Sequence, residues 1–249
     1  MKPIIIVVIA LLSYSVLPSA LASDANTPEA YQRQAEQIRA KTETLVPAFA
    51  LIGQQQPSFT NAWNELLRQQ LIVSHGRDTQ ALSQAIALGL ALHYINPFLL
   101  RADDSSVDGF FQQQRTLLAL AQNDPVLCSV LLNTPSARAD QSGRPPLLWQ
   151  SKYKKLRPHL QSALTQVIMS GNGKQPRELP AEQSRLFMQR IVSQMSANFG
   201  PESLNQYELM RNDNASPGAR CTGLYQLYET INDQPLELRA QLMRSFFGQ

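Results

Sequence analysis

One spacing constrains this chain more than any other feature. From Thr27 onward apolar residues recur three and four positions apart, and Pro, Gly and Asn-Asp clusters cut the pattern into lengths suited to helices. No segment alternates apolar and polar residues strongly enough to make a strand, and no repeat of fixed period is present. Composition agrees with the spacing. Between Ser23 and Gln249 leucine occurs 31 times, against 15 for valine and isoleucine together, which favours helix over sheet. The expected fold is all-α, an irregular bundle of about eight to ten helices.

The boundaries follow from local chemistry. Thr27-Pro28 supplies an N-cap and a proline at the first helical position. Tyr31, Ala35, Ile38, Leu45 and Phe49 then follow at helical spacing, with Pro47 ending or kinking the run. Gly53 to Pro57 reads as a connector. A second helix from about Asn61 to Ser74, closed by His75-Gly76, turns Trp63, Leu66, Leu67 and Leu71 inward. Asp78 caps a third, apolar nearly all round from Leu82 to Leu92 as suits the middle of a bundle, and Asn96-Pro97 ends it. Ser105 with Asp108 opens a fourth helix, and Asp124-Pro125 restarts the chain as a short one holding Cys128. Trp149, Tyr153, Leu156, Leu160, Ala163 and Val167 form the cleanest stripe, on a helix bent at Pro158. Pro180 begins a helix burying Leu186, Phe187, Ile191 and Met195. Three more run from Pro201 to about Met210, Ala219 to Ile231 and Pro235 to Phe247.

The first 22 residues read as an export signal. Lys2 is a one-charge n-region, Ile4 to Leu17 is an apolar run interrupted only by Ser13, Tyr14 and Ser15, and Ala20-Leu21-Ala22 is a small-x-small cleavage site. Pro18 and a length at the short limit of the roughly 20 residues a spanning helix needs speak against an anchor. No Cys follows the cleavage site, as a lipid-anchored lipoprotein would require. Residues 23–249 are expected to form a single helical domain. The candidate place to divide it is the loop 134–146, with Pro135, Gly143, Pro145 and Pro146. Export predicts a periplasmic or secreted location, where thiols can pair, and so one disulfide between Cys128 and Cys221.

Several chemistries lack their residues. His75, His93 and His159 share no metal-ligand spacing, so no metal and no cofactor are expected. Gly171-Asn172-Gly173-Lys174 lacks the full phosphate-loop pattern and a preceding strand. A net charge of +3, or +2 once Lys2 leaves with the signal, does not demand nucleic acid.

Two segments resemble catalytic motifs. Ser151-Lys152-Tyr153-Lys154 fits the Ser-x-x-Lys of serine β-lactamases and penicillin-binding proteins, and Ser170-Gly171-Asn172 resembles their second element. The third, a Lys-Thr-Gly-type triplet on a strand, is not supplied downstream. Glu202-Ser203, Ser216-Pro217-Gly218-Ala219 and Gly223-Leu224-Tyr225-Gln226 loosely resemble lytic transglycosylases, which would make Glu202 a general acid in an apolar setting. The sequence departs from that family: Arg220-Cys221-Thr222 intervenes, Tyr225 replaces the usual Met, and few residues follow Gln226 to complete a cleft. No family membership follows from either likeness.

Lys152, Lys154, Lys155 and Arg157, interleaved with Trp149 and Tyr153, are the candidate binders of an anionic surface. Because the aromatic residues share the stripe of Leu156 and Leu160, the same pattern also fits a solvated face on a core helix. The sequence therefore suggests an exported helical binding or accessory protein, non-enzymatic, acting on an envelope component. The partner would be an unidentified envelope protein or an anionic surface. The rival readings are a peptidoglycan hydrolase using Glu202 and a helical carrier of a lipid or other apolar ligand.

Overall fold

A residue that precedes proline is pushed out of the α region, while proline itself fits the first turn of a helix, so each X-Pro step can break one helix and start the next. The computed structural model, which describes residues 27–73, 79–132, 155, 157–177, 180–212 and 214–247, shows this twice in its first third. Thr27 caps α1 (Pro28–Leu45) by accepting the Ala30 N–H on Oγ1 at 3.2 Å. Val46 leaves the helical region with φ −135° and ψ 81°, and Pro47 opens α2 (Pro47–Gln55). Gln56 does the same with φ −134° and ψ 84°, and Pro57 opens α3 (Pro57–Val73). The expected connector from Gly53 to Pro57 is thus a single residue between two helices. One helix predicted to end or kink at Pro47 is two.

The helices continue as α4 (Thr79–Arg101), α5 (Asp104–Ala121), α6 (Pro125–Leu131), α7 (Arg157–Gly171), α8 (Ala181–Phe199), α9 (Glu202–Met210), α10 (Pro217–Asn232) and α11 (Leu236–Phe247). Eleven helices and no strand are therefore present among the described residues, and the all-α expectation holds. None of these helices is long and apolar enough to cross a membrane. Residues 1–22, the loop 134–146, Trp149, Tyr153 and His75 lie outside the described residues.

Prolines 97 and 158 act differently from expectation. Pro97 lies inside α4 instead of ending it, because Phe98 and Leu99 beyond it are buried core and packing outweighs the lost hydrogen bond. Pro158 is the second residue of α7, so it starts that helix rather than bending it. Leu66 and Leu186, expected inward, are exposed, whereas Leu67 and Ile191 are buried.

The chain forms two compact units that divide between Ile95 and Asn96, within α4. In the first, α3 packs against α1 and α2. Phe49, Phe59 and Trp63 form one aromatic cluster with Tyr94, the Trp63 ring standing edge-on to Phe49 at 5.6 Å. Trp63, Thr42 and Ser83 are fully buried, and their polar atoms are used in sequence. Trp63 Nε1 donates to Ser83 Oγ at 3.2 Å, Ser83 meets Thr42 Oγ1 at 3.1 Å, and Thr42 donates to the Ile38 carbonyl at 2.8 Å. One hydroxyl chain thereby ties α1, α3 and α4 without an unpaired group.

In the second unit α5 packs against α6, α7, α10 and α11, and α10 against α6, α8, α9 and α11. Asp103 caps α5 by accepting the Ser106 N–H on Oδ1 at 2.7 Å. Phe111 stacks on Tyr228 at 5.0 Å, and the Tyr228 hydroxyl donates to Gln114 Oε1 at 2.7 Å, closing a buried polar pair inside the core. Burial pushes the Tyr228 phenol far above its usual value.

Candidate functional site

The disulfide expected from the sequence is formed. Cys128 on α6 and Cys221 on α10 are joined with a Cα–Cα distance of 6.0 Å, and both are fully buried. The bridge closes a sequence separation of 93 residues. Among the described residues no cysteine is left free.

Of the four basic residues singled out, Lys155 is exposed in the turn before α7, and Arg157 is the first residue of that helix. Lys152, Lys154 and the side chain of Arg157 lie outside the described residues. On α7, Leu160, Ala163, Val167 and Ile168 are buried, while Pro158, His159, Ser162, Gln166 and Met169 are exposed. The helix therefore keeps an outward face, with His159 exposed in its first turn and Lys155 exposed just before it. A positive side chain near a helix N-terminus adds to the positive end of the helix dipole instead of offsetting it.

Glu202 is exposed in the first turn of α9, and burial among the described residues does not give it the apolar setting a general acid uses. Its neighbour Ser203 is buried and donates to the Gly200 carbonyl at 2.7 Å, a role in the turn. Gly223, another residue of that resemblance, serves a helix crossing. A Cβ on Gly223 would overlap the Gln206 carbonyl oxygen and stand 3.1 Å from Met210 Cβ, so glycine lets α10 meet α9 closely. The Ser151 to Lys154 segment lies outside the described residues, and Ser170 donates to the Val167 carbonyl within α7. His159 is exposed, the His93 side chain is outside the described residues, and among those described no three metal-binding groups converge.

A polar seam along α5 was not legible in the sequence. Asp104, Asp108, Gln112 and Arg115 recur at helical spacing and reach other helices. Asp108 takes a two-pronged contact from Arg239 of α11, at 2.7 and 3.1 Å. Gln112 donates to Asn232 at 2.8 Å, and Arg115 to Glu229 of α10 at 2.7 Å. Asp104 accepts from Arg244 of α11 at 2.6 Å. The only signal for these residues is their spacing on α5, and their partners lie more than a hundred positions away.

Comparison with family models, with curated proteins and with solved structures finds no match.

Proposed function

We propose that this chain is exported, to the periplasm or beyond, and acts there as a helical binding or accessory protein on a component of the cell envelope. The observation that carries the reading is the buried Cys128–Cys221 bond, because disulfides persist in oxidising compartments and are rare in the cytosol. The export pattern of Met1 to Ala22 supports the same compartment. Partner chemistry is suggested by the basic approach to α7, where Lys155 stands exposed in a segment that also carries Lys152, Lys154 and Arg157. Those charges favour an anionic surface, and the reading requires no cofactor, metal or nucleic acid.

Fractionation of the native host followed by crosslinking and co-purification tests the proposal. The protein should be found in the periplasmic or extracellular fraction with an envelope component attached. Its recovery in the cytoplasm, with both cysteines open to alkylation, would overturn the proposal. Binding to vesicles of phosphatidylglycerol should weaken steeply between low and physiological salt. It should also fall in a Lys152→Gln, Lys154→Gln, Lys155→Gln variant, and unchanged binding there removes this segment from the account.

A further inference from the structure

The corner where α4 gives way to α5 holds more positive charge than the described residues neutralise. Arg244 is 1% exposed, and its Nη2 donates to the Ala102 carbonyl and to Asp104 Oδ1, each at 2.6 Å. Arg177 reaches the same Asp104 oxygen at 3.2 Å, and its backbone N–H donates to the Leu100 carbonyl at 2.7 Å. Lys174 is exposed just upstream of Arg177, and the Asp103 carboxyl is held below its usual range. Burial there acts to raise that carboxyl and is outweighed by hydrogen bonds from Ser106 and Ser105 together with the lysine charge. Arg101, half-buried on the last turn of α4, has no ion pair among the described residues.

Both carboxylates are already engaged. Asp103 caps α5 through Ser106 and accepts from Ser105, and Asp104 takes two guanidinium groups. Among the described residues Arg177 and Arg244 pair only with Asp104, and Lys174 acts through its charge on Asp103. Moreover, Arg101 Nε and Arg244 Nε are buried with no hydrogen-bond acceptor. A buried, unpartnered donor on a charged group is strongly disfavoured, and two within one basic corner share a remedy: an acceptor with several oxygens and negative charge.

We propose that this corner binds a phosphate-class oxyanion, with Arg101 and Arg244 donating through Nε and Lys174 and Arg177 closing its exposed side. Guanidinium forks suit such a group better than point charges do, because they present paired N–H donors in one plane. The site is distinct from the basic approach to α7. That helix has 15 residues, which spans roughly 22 Å, and it is its far end, Gly171, that lies against the Phe98 backbone next to this corner.

The test uses the Lys152→Gln, Lys154→Gln, Lys155→Gln protein, which removes the other basic segment, with and without Arg101→Gln. Arg101 has no partner to lose, so the added change should leave the fold intact, as circular dichroism would check. Titration with inorganic phosphate at constant ionic strength, and separately with phosphatidylglycerol vesicles against phosphatidylcholine vesicles, distinguishes a free ion from a lipid headgroup. Saturable binding in either arm, weakened about tenfold or more by Arg101→Gln, supports the site and names its source. A parallel Lys174→Gln change should weaken binding less, since that residue is exposed. No binding in either arm, or binding that Arg101→Gln leaves unchanged, overturns the proposal.

Discussion

Between Pro28 and Ile95 helices are joined by aromatic rings and one chain of hydroxyls, whereas between Asn96 and Phe247 they are joined by a disulfide and a ladder of charged and amide pairs. The ion pairs of the first unit are local, Arg39 with Glu43 one turn away and Arg68 with Glu65, and such pairs on a helix surface contribute little. Those of the second connect different helices: Arg239 and Arg244 reach back to α5, and Arg115 reaches α10. The contrast shows that, among the described residues, only one of the units is held by a covalent crosslink. It also shows that helix rotation is fixed by packed rings in one case and by directional polar contacts in the other.

The largest way to break the comparison is at the crosslink. Replacing Cys128 and Cys221 by Ala should destabilise the second unit by about 4 to 5 kcal/mol in the chain-entropy account, with the first unit unaffected. Urea unfolding followed by hydrogen exchange would resolve the two, and equal loss in both units would contradict the separation. Nearly as large, and with the location reversed, Trp63→Ala should cost the first unit about 3 to 5 kcal/mol by opening a cavity among Phe49 and Phe59. This loss should be indifferent to reductant.

Smaller changes sharpen the contrast. Asp108→Ala removes the two-pronged contact with Arg239 and should cost the second unit about 2 kcal/mol, a loss that thermal unfolding would register. Thr42→Val keeps the shape but leaves the Ser83 hydroxyl without its acceptor, for about 1 kcal/mol in the first unit by the same measurement. The least effect near neutrality concerns Tyr228. Its phenol is raised by burial, so its contribution is fully present below the ordinary tyrosine pKa of about 10 and is lost as pH rises further, because the unfolded chain ionises first. Alkaline titration by ultraviolet absorbance should find one tyrosine that ionises only as the second unit unfolds, while early titration of every tyrosine would refute its burial.

Helix type was legible in the sequence because three-and-four spacing and proline position act locally. Thr27-Pro28 and the buried positions of α3, Trp63, Leu67 and Leu71, could be read directly. Proline's effect was less legible, since it depends on what lies beyond it: Val46-Pro47 breaks the chain, but buried Phe98 and Leu99 carry α4 through Pro97. The cysteine pairing was readable because only two cysteines exist. By contrast, Gly223 resembled part of a catalytic motif although its local role is a close approach to Gln206. The contact of Arg244 with the Ala102 carbonyl and Asp104 had no sequence signal, because the residues are about 140 positions apart and meet only in the fold.

Mass spectrometry of the intact protein taken from its own host, under alkylating conditions without reductant, addresses the account most directly. The account predicts a chain that starts at Ser23, carries no alkyl groups, and yields a linked Cys128–Cys221 peptide on digestion. A chain that retains Met1 and is alkylated at both cysteines would contradict it.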